Sequence, residues 1–272
     1  MNRLTHTLRA YPTLLRIGFS EMLAYRAEML VWILSTTMPL VNLALWHTVA
    51  AQGGPIAGYG QSQLIGYFLS AFIVRQMTGS WVVYEMNQEI RAGKFSMRLL
   101  RPIHPLIAYS AENLAAIPLR AVLSLPVAIT MLALVGGAGF ARDPVLWLAV
   151  FLSVFGAWLI NFIVMAILGA CGFFLESSLS LMYVWQALFF GLSGYLFPLE
   201  FMRDKAPRIY EALHLMPFYF QTGFPIELIL GQHDRASAFR GLAIEWAWIA
   251  GLMIVLLVMW RAAMRRWNAY GA

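Results

Sequence analysis

The chain is poor in cysteine and in charged residues. It contains one cysteine, Cys171, and only 12% of its 272 residues are charged. A single cysteine excludes a disulfide framework within the chain. Soluble domains carry about 25% charged residues, whereas 61% of this chain is hydrophobic, so too few polar side chains remain to cover a globule in water. These deficits, together with the long apolar runs, indicate an integral membrane protein.

The sequence also lacks the motifs of common catalytic, metal and nucleotide sites. Its five histidines are scattered without an H-E-x-x-H pair, and no G-x-S-x-G elbow is present. The nearest approach to a phosphate-binding loop is Gly93-Lys94, but Gln88 replaces the first glycine and Phe95 replaces the hydroxyl residue. We therefore expect no catalytic residue, no metal site and no cofactor in this chain. If ATP drives its work, a partner protein must bind the ATP and magnesium.

The net charge of +6 comes from arginine-rich segments that flank apolar runs. In a membrane protein such cations are commonly held against anionic cytoplasmic lipid. We prefer this explanation to nucleic-acid binding, so membrane lipid is the predicted partner of these cations.

The apolar runs predict an all-α integral membrane protein with six transmembrane helices in a single domain, residues 1–272. Each span needs about 20 residues, and the linkers between them are rich in glycine, proline and polar residues. The predicted spans lie near residues 29–49, 64–84, 115–135, 144–171, 179–197 and 244–260.

Two further segments are predicted to be helical without crossing the membrane. In residues 1–25, apolar residues recur at steps of three and four, which predicts an amphipathic helix in the membrane interface. Residues 200–240 include the apolar run LHLMPFYFQTGFPIELIL, in which Pro217, Pro225 and Glu227 disfavour a continuous lipid-facing helix. This run therefore predicts a re-entrant or interfacial hairpin on the outer side, before the last span.

The distribution of lysine and arginine predicts the orientation. With six spans, both termini lie on the side that collects most of the cations, so both termini and the segment around Arg98 are predicted to be cytoplasmic. The cations between residues 200 and 240 oppose this arrangement, because it places them on the outer side.

A few ionisable residues fall within or beside the predicted spans, where charge is costly and commonly functional. Arg75 lies midway along the second span, Glu85 follows its cytoplasmic end, and Arg120 lies in the third. We predict Arg75 and Glu85 as pathway candidates, with a buried ion pair as the alternative for Arg75. For Arg120 we favour a structural role, as an ion-paired or snorkelling side chain.

The segment NQEIRAGKFSMRLLRPIHP, residues 87–105, places a dense group of cations between two apolar spans. Leu99 and Leu100 follow Phe95 at four and five residues, and prolines at 102 and 105 end the pattern. Such a short helix, with apolar residues in a collar of charge, suits docking into a groove of a soluble partner. The alternative is a polybasic loop held on anionic lipid.

At EIRAGKFSMRLLRPIHP the sequence resembles the cytoplasmic coupling segment of permeases of the ATP-binding-cassette (ABC) type-2 exporter family. It is especially similar to the small six-span branch of uncharacterised transport systems. The stretches GLSGYLFPLEFM and LMPFYFQTGFPIELILG resemble the fifth span and outer hairpin of that branch. The resemblance covers nearly the whole chain.

The resemblance implies a permease that forms the translocation pathway with a second permease, the same or a paralogous chain, and is driven by separate ABC ATPase subunits. It implies an unidentified exported substrate and a location in the bacterial cell (inner) membrane. The implied coupling residues are Glu89, Arg91, Gly93, Phe95, Leu99, Leu100, Arg101 and Pro102. The implied outer-hairpin residues are Pro198, Pro217, Phe218 and Pro225.

A second hypothesis is a secondary, ion-coupled carrier that works without an ATPase. The spans contain no chain of Asp, Glu and His residues for a proton relay, and no duplication into two halves is evident. Both absences favour the ATP-driven permease.

Overall fold

The computed structural model describes residues 3–24, 31, 34, 37–135 and 140–267, and these residues are mainly helical. The part described contains no β-strand, and its isolated bridge joins Ile56 and Tyr59. The predicted start of the first span, near residue 29, lies outside the described residues. The all-α membrane fold predicted from composition is confirmed.

The helices follow one another through the chain with short connections. Two 3-10 turns, at Cys171–Phe173 and Leu199–Met202, supplement them. In chain order they are α1 (Arg3–Ala24), α2 (Met38–Gly53), α3 (Gln61–Thr78), α4 (Val82–Arg91), α5 (Phe95–Leu99), α6 (Pro105–Ala115), α7 (Ile117–Val135), α8 (Pro144–Ala170), α9 (Leu179–Leu192), α10 (Pro207–Leu215), α11 (Pro217–Gln221), α12 (Gly223–Ile229) and α13 (Arg235–Arg266).

Three helical stretches among the described residues are long and apolar enough to cross a membrane. They are Pro105–Thr130, Pro144–Phe173 and Arg235–Arg266. Helices α2, α3 and α9 lie at the three other predicted positions but do not meet the same combination of length and apolarity. The count of six spans therefore stays a prediction.

Two of the long helices begin about ten residues before the predicted spans. Pro105 opens α6 at a first-turn position, where a missing N–H costs nothing, and His104 Nδ1 accepts a hydrogen bond from Leu106 N. Asp234 caps α13 by accepting from Ser237 N at 3.0 Å. The sequence analysis began these spans later, whereas the caps at His104 and Asp234 mark where the helices start.

Helix α8 is the centre of the bundle, and α3, α4, α11, α12 and α13 pack around it. Small residues permit the close approaches: a Cβ on Gly156 would lie 2.6 Å from Glu245 Oε1, and one on Gly169 would lie 2.7 Å from Met86 Sδ. Helix α1 packs on α6 in the same way, since a Cβ on Gly18 would lie 3.0 Å from Ala115 Cβ.

The start of α8 is tied to the start of α13. Asp143 Oδ1 accepts from Val145 N at 3.0 Å, which caps α8, and both carboxylate oxygens of Asp143 accept from Arg235 at 2.5 and 3.0 Å. The hydrogen bonds from Arg235, then from Val145, hold the pKa of Asp143 below its ordinary value. This end of the bundle also receives α12, because Ala141 N donates to Ile229 O at 2.9 Å.

Candidate coupling segment and central polar cavity

Residues 87–105, the coupling segment, form a sharp turn between two helices at the other end of α8. Helix α4 ends at Arg91, and Gly93 turns the chain with φ +68°, a conformation that glycine adopts without a steric penalty. Helix α5 then runs from Phe95 to Leu99. Arg91 ties this turn to the connection between α8 and α9, since its Nε and Nη2 donate to Glu176 O at 3.0 and 2.7 Å.

Phe95 is the apolar anchor of α5. Its side chain is fully buried, with ring centroids 5.0 Å from Phe173, 5.4 Å from Trp267 and 6.0 Å from Trp260. The sequence pattern grouped Phe95 with the leucines as one apolar knob, whereas the structure separates them. Phe95 faces the bundle, and it brings the coupling segment to the same end as the last turns of α13.

Arg98 is the polar anchor of α5. Its Nε donates to both oxygens of Glu89 at 2.8 and 2.7 Å, and its Nη1 and Nη2 donate to Glu112 at 2.9 and 3.0 Å. Tyr109 donates to Glu89 at 2.6 Å, and its ring lies 3.9 Å from the guanidinium carbon. Burial lowers the pKa of Arg98, but the hydrogen bonds to Glu89 and Glu112 outweigh it and raise the pKa above its ordinary value.

Apolar side chains project from the anchored turn into the surroundings. Met97 is 65% exposed, Leu99 39% and Leu100 79%. Arg101 and Pro102 beside them are also exposed. Met97, Leu99 and Leu100 therefore form an exposed apolar patch on a turn that is anchored from inside, the candidate docking surface.

Arg75 and Arg120 lie at the short non-helical connection between α3 and α4. Arg120 Nη1 donates to Gly79 O at 2.9 Å, and Asn161 Nδ2 donates to Thr78 O at 2.7 Å, so both carbonyls at the end of α3 are satisfied. The guanidinium of Arg75 lies 5.1 Å from the Phe189 ring centroid. Neither arginine makes an ion pair with a described residue, so the ion-pair interpretation finds no partner there. Both line one small polar cavity, the central cavity.

Glu85 lies one turn into α4, after this connection, and one of its carboxylate oxygens is buried with no hydrogen-bond partner among the described residues. It does not line the central cavity. The two predicted pathway candidates are therefore close along the chain but face different surroundings.

The hairpin residues pack inside the protein. Pro217 opens α11, while Phe218 and Pro225 are buried, as is every residue of α12. Phe218 stacks on Trp185 with ring centroids 4.4 Å apart, and Pro198 precedes the second 3-10 turn. Broken helices are tolerated in a membrane protein where protein surrounds them, and these short helices have that environment.

The sequence analysis missed a polar cluster that holds this hairpin. Glu227 is buried, and its Oε2 accepts from Tyr219 at 2.5 Å and lies 3.0 Å from His233 Nε2. His214 Nε2 lies 4.0 Å from Glu227 Oε1. Of these residues, only Glu227 stood out in the sequence, because it is a carboxylate in an apolar run. Nothing in the sequence indicated that histidines on the flanking segments would lie beside it.

A known protein family matches most of the chain. The family model described as "ABC-2 family transporter protein" matches residues 36–271. None of the curated proteins matches the chain. The family match confirms the resemblance and identifies the chain as a transport permease of a membrane, and the protein belongs to the ABC-2 family of transporter proteins.

Proposed function

We propose that this permease is the membrane-spanning subunit of an ATP-driven exporter in a bacterial inner membrane. It forms the translocation pathway with a second permease chain, and separate ABC ATPase subunits bind the ATP and magnesium. The family match supports a transport subunit. The exporter direction, the dimer and the cytoplasmic position of both termini belong to the proposal.

The observation that carries this proposal is the docking surface of the coupling segment. Met97, Leu99 and Leu100 are exposed together on a helix held by Phe95 and Arg98. Exposed apolar side chains flanked by charge mark protein-interaction sites. A flexible polybasic loop on lipid needs neither a buried aromatic anchor nor a three-way ion pair, so the geometry favours a protein partner, the ATPase.

Motion can pass from this surface to the bundle through short contacts. Movement of α5 pulls on Phe173 beyond α8 through Phe95, and on α4 and α6 through Glu89 and Glu112. We propose that closure of the ATPase subunits moves α5 and that these anchors transmit the movement to the spans.

The experiment is reconstitution of the permease with its ATPase, after gentle purification from native membrane and mass spectrometry of the associated chains. Leu99→Asp combined with Leu100→Asp should abolish permease-dependent stimulation of ATP hydrolysis. Burying one leucine contributes about 1.5–3 kcal/mol, so losing two weakens docking at least about 100-fold.

The matched control is Gln61→Asp with Ser62→Asp, which adds the same charge at exposed positions in the first turn of α3. Acidic residues are favourable at a helix N-terminus, so this variant keeps its fold and its stimulation. A permease that purifies without an ATPase in several mild detergents, and transports by an ion gradient alone, would be a secondary carrier and would refute the proposal.

A further inference from the structure

The central cavity contains more hydrogen-bond donors than acceptors. It is a space of about 30 Å³ between the end of α3 and helices α7, α8, α9 and α11. Besides the indoles of Trp81 and Trp185, seven polar side chains line it, namely Arg75, Gln76, Ser80, Arg120, Asn161, Gln186 and Gln221. No carboxylate is among the residues that line it.

The two arginines supply positive charge with no carboxylate of a described residue in direct contact, and Glu85 interacts with Arg120 only from a longer distance. Arg120 is only 8% exposed, Arg75 is partly buried, and neither has a carboxylate of a described residue within 4.0 Å. One N–H of Arg120 is used by Gly79 O, and the guanidinium carbon of Arg75 lies 5.1 Å from the Phe189 ring centroid and 5.9 Å from the Tyr195 ring centroid. A guanidinium has five N–H donors, so most of them have no acceptor in these contacts.

Neutral donors in the lining lack acceptors as well. Trp185 Nε1 and Gln221 Nε2 are buried with no hydrogen-bond partner among the described residues, and so is Ser80 Oγ. Gln221 is 2% exposed and Ser80 is 8% exposed. Buried polar groups in native proteins are almost always paired. An anion bound here would accept hydrogen bonds from the unpaired donors. Because these bonds would be charge-assisted, the anion would also offset the charge of the two arginines.

We propose that the central cavity is an anion-binding site that takes a halide or the carboxylate or phosphate oxygens of a larger anionic molecule. A water-sized atom needs about 10–15 Å³ of such space, so 30 Å³ admits one small ion or two oxygens but not a whole headgroup. The donors come from α3, α7, α9 and α11, so a bound anion links four helices. The proposal concerns binding and does not depend on ATP-driven transport.

The test measures anion binding by the permease in nanodiscs of phosphatidylcholine, without an ATPase. Chloride replaces methanesulfonate, which has neither a carboxylate nor a phosphate, at constant ionic strength while the thermal unfolding temperature is recorded. A ligand that binds only the folded state raises this temperature once its concentration exceeds Kd, and the rise then continues with the logarithm of concentration. We expect such a rise for the wild-type chain, with an onset at least tenfold higher in chloride concentration for Arg75→Gln and for Trp185→Phe.

Two controls keep the result interpretable. Arg261→Gln removes the same charge at an exposed position of α13 and should respond like the wild-type chain. Trp185→Phe keeps an aromatic ring against Phe218, removes the N–H together with part of the indole, and changes no charge, so it reports on the site even if Arg75→Gln fails to fold.

A second arm distinguishes the source of the anion. Permease is extracted from membranes of mixed phosphatidylcholine and phosphatidylglycerol, and native mass spectrometry counts the retained lipids. Phosphatidylglycerol retained by wild type but not by Trp185→Phe identifies a lipid phosphate as the ligand, whereas a chloride response alone identifies a free ion. An equal chloride response in all variants, or neither binding nor retention, would overturn the proposal.

Discussion

Replacement of Arg98 by methionine should release α5 from the bundle without unfolding the bundle itself. The change keeps an unbranched stem and removes every hydrogen bond of the guanidinium to Glu89 and Glu112. It also leaves the two carboxylates close together with no cation between them. Of the two anchors of α5, Phe95 would then remain, while Arg91 would still hold the preceding end of α4 to Glu176 O.

The magnitude follows from the exposure of the three side chains. Arg98 is 13% exposed, Glu89 23% and Glu112 22%. Removal of one partner from a buried pair costs about 3–5 kcal/mol, whereas an exposed pair contributes about 0–1 kcal/mol. This cluster is nearer the buried limit and also loses the contact with the Tyr109 ring, so we expect about 3 kcal/mol.

The assay is amide hydrogen exchange of the permease in nanodiscs, read on peptides that cover residues 95–101. Local opening controls exchange in such a segment, and 3 kcal/mol corresponds to about a 100-fold increase in rate. Arg101→Met is the matched control, because Arg101 is exposed and the charge change is the same. If Arg98→Met exchanges at the wild-type rate in these peptides, the ion cluster does not anchor α5 and the reasoning is refuted.

Two further changes test other parts of the fold. Gly194→Ala should lower the free energy of unfolding by about 2 kcal/mol, because Gly194 has φ +83° and a Cβ there would lie 2.7 Å from the Tyr67 hydroxyl; chemical denaturation measures it, and a neutral result would contradict the strain argument. Asp143→Asn should remove an acid-sensitive contribution to stability. The pKa of Asp143 is lowered in the folded state, so its stabilising contribution is present above its ordinary pKa of about 3.9 and is lost as pH falls through the lowered value. Wild type and variant should therefore converge at the acid end of a pH series, and a gap that widens there would contradict the assignment.

The helices were predictable from the sequence because apolar periodicity is a local property. Residues 144–171 were predicted as a span, and α8 covers Pro144–Ala170. The starts of α6 and α13 were not predicted, because they depend on caps at His104 and Asp234 and not on hydropathy. The sequence also did not show that Phe95 faces the bundle while the leucines face outward. A helix of five residues is too short for its pattern to indicate which side faces the bundle.

The polar sites were largely unpredictable because their members are far apart in sequence. The partners of Arg98 lie nine and fourteen residues away on two different helices. The central cavity joins side chains from positions 75 to 221. Arg75 and Arg120 could be singled out as charges in apolar runs, but their common cavity follows only from the packing of α3 against α7 and α8.

Helix α6 contacts both the first helix and the anchor of α5. On one face, its Ser110 hydroxyl lies 3.2 Å from the Tyr11 hydroxyl, and Gly18 of α1 approaches the backbone of Glu112. The side chain of the same Glu112 holds Arg98 under the exposed leucines. One residue, Glu112, therefore contacts both α1 and the anchor of α5. If α1 lies in the membrane interface, as the sequence predicts, a displacement of α1 within the bilayer would reach Arg98 through this single residue.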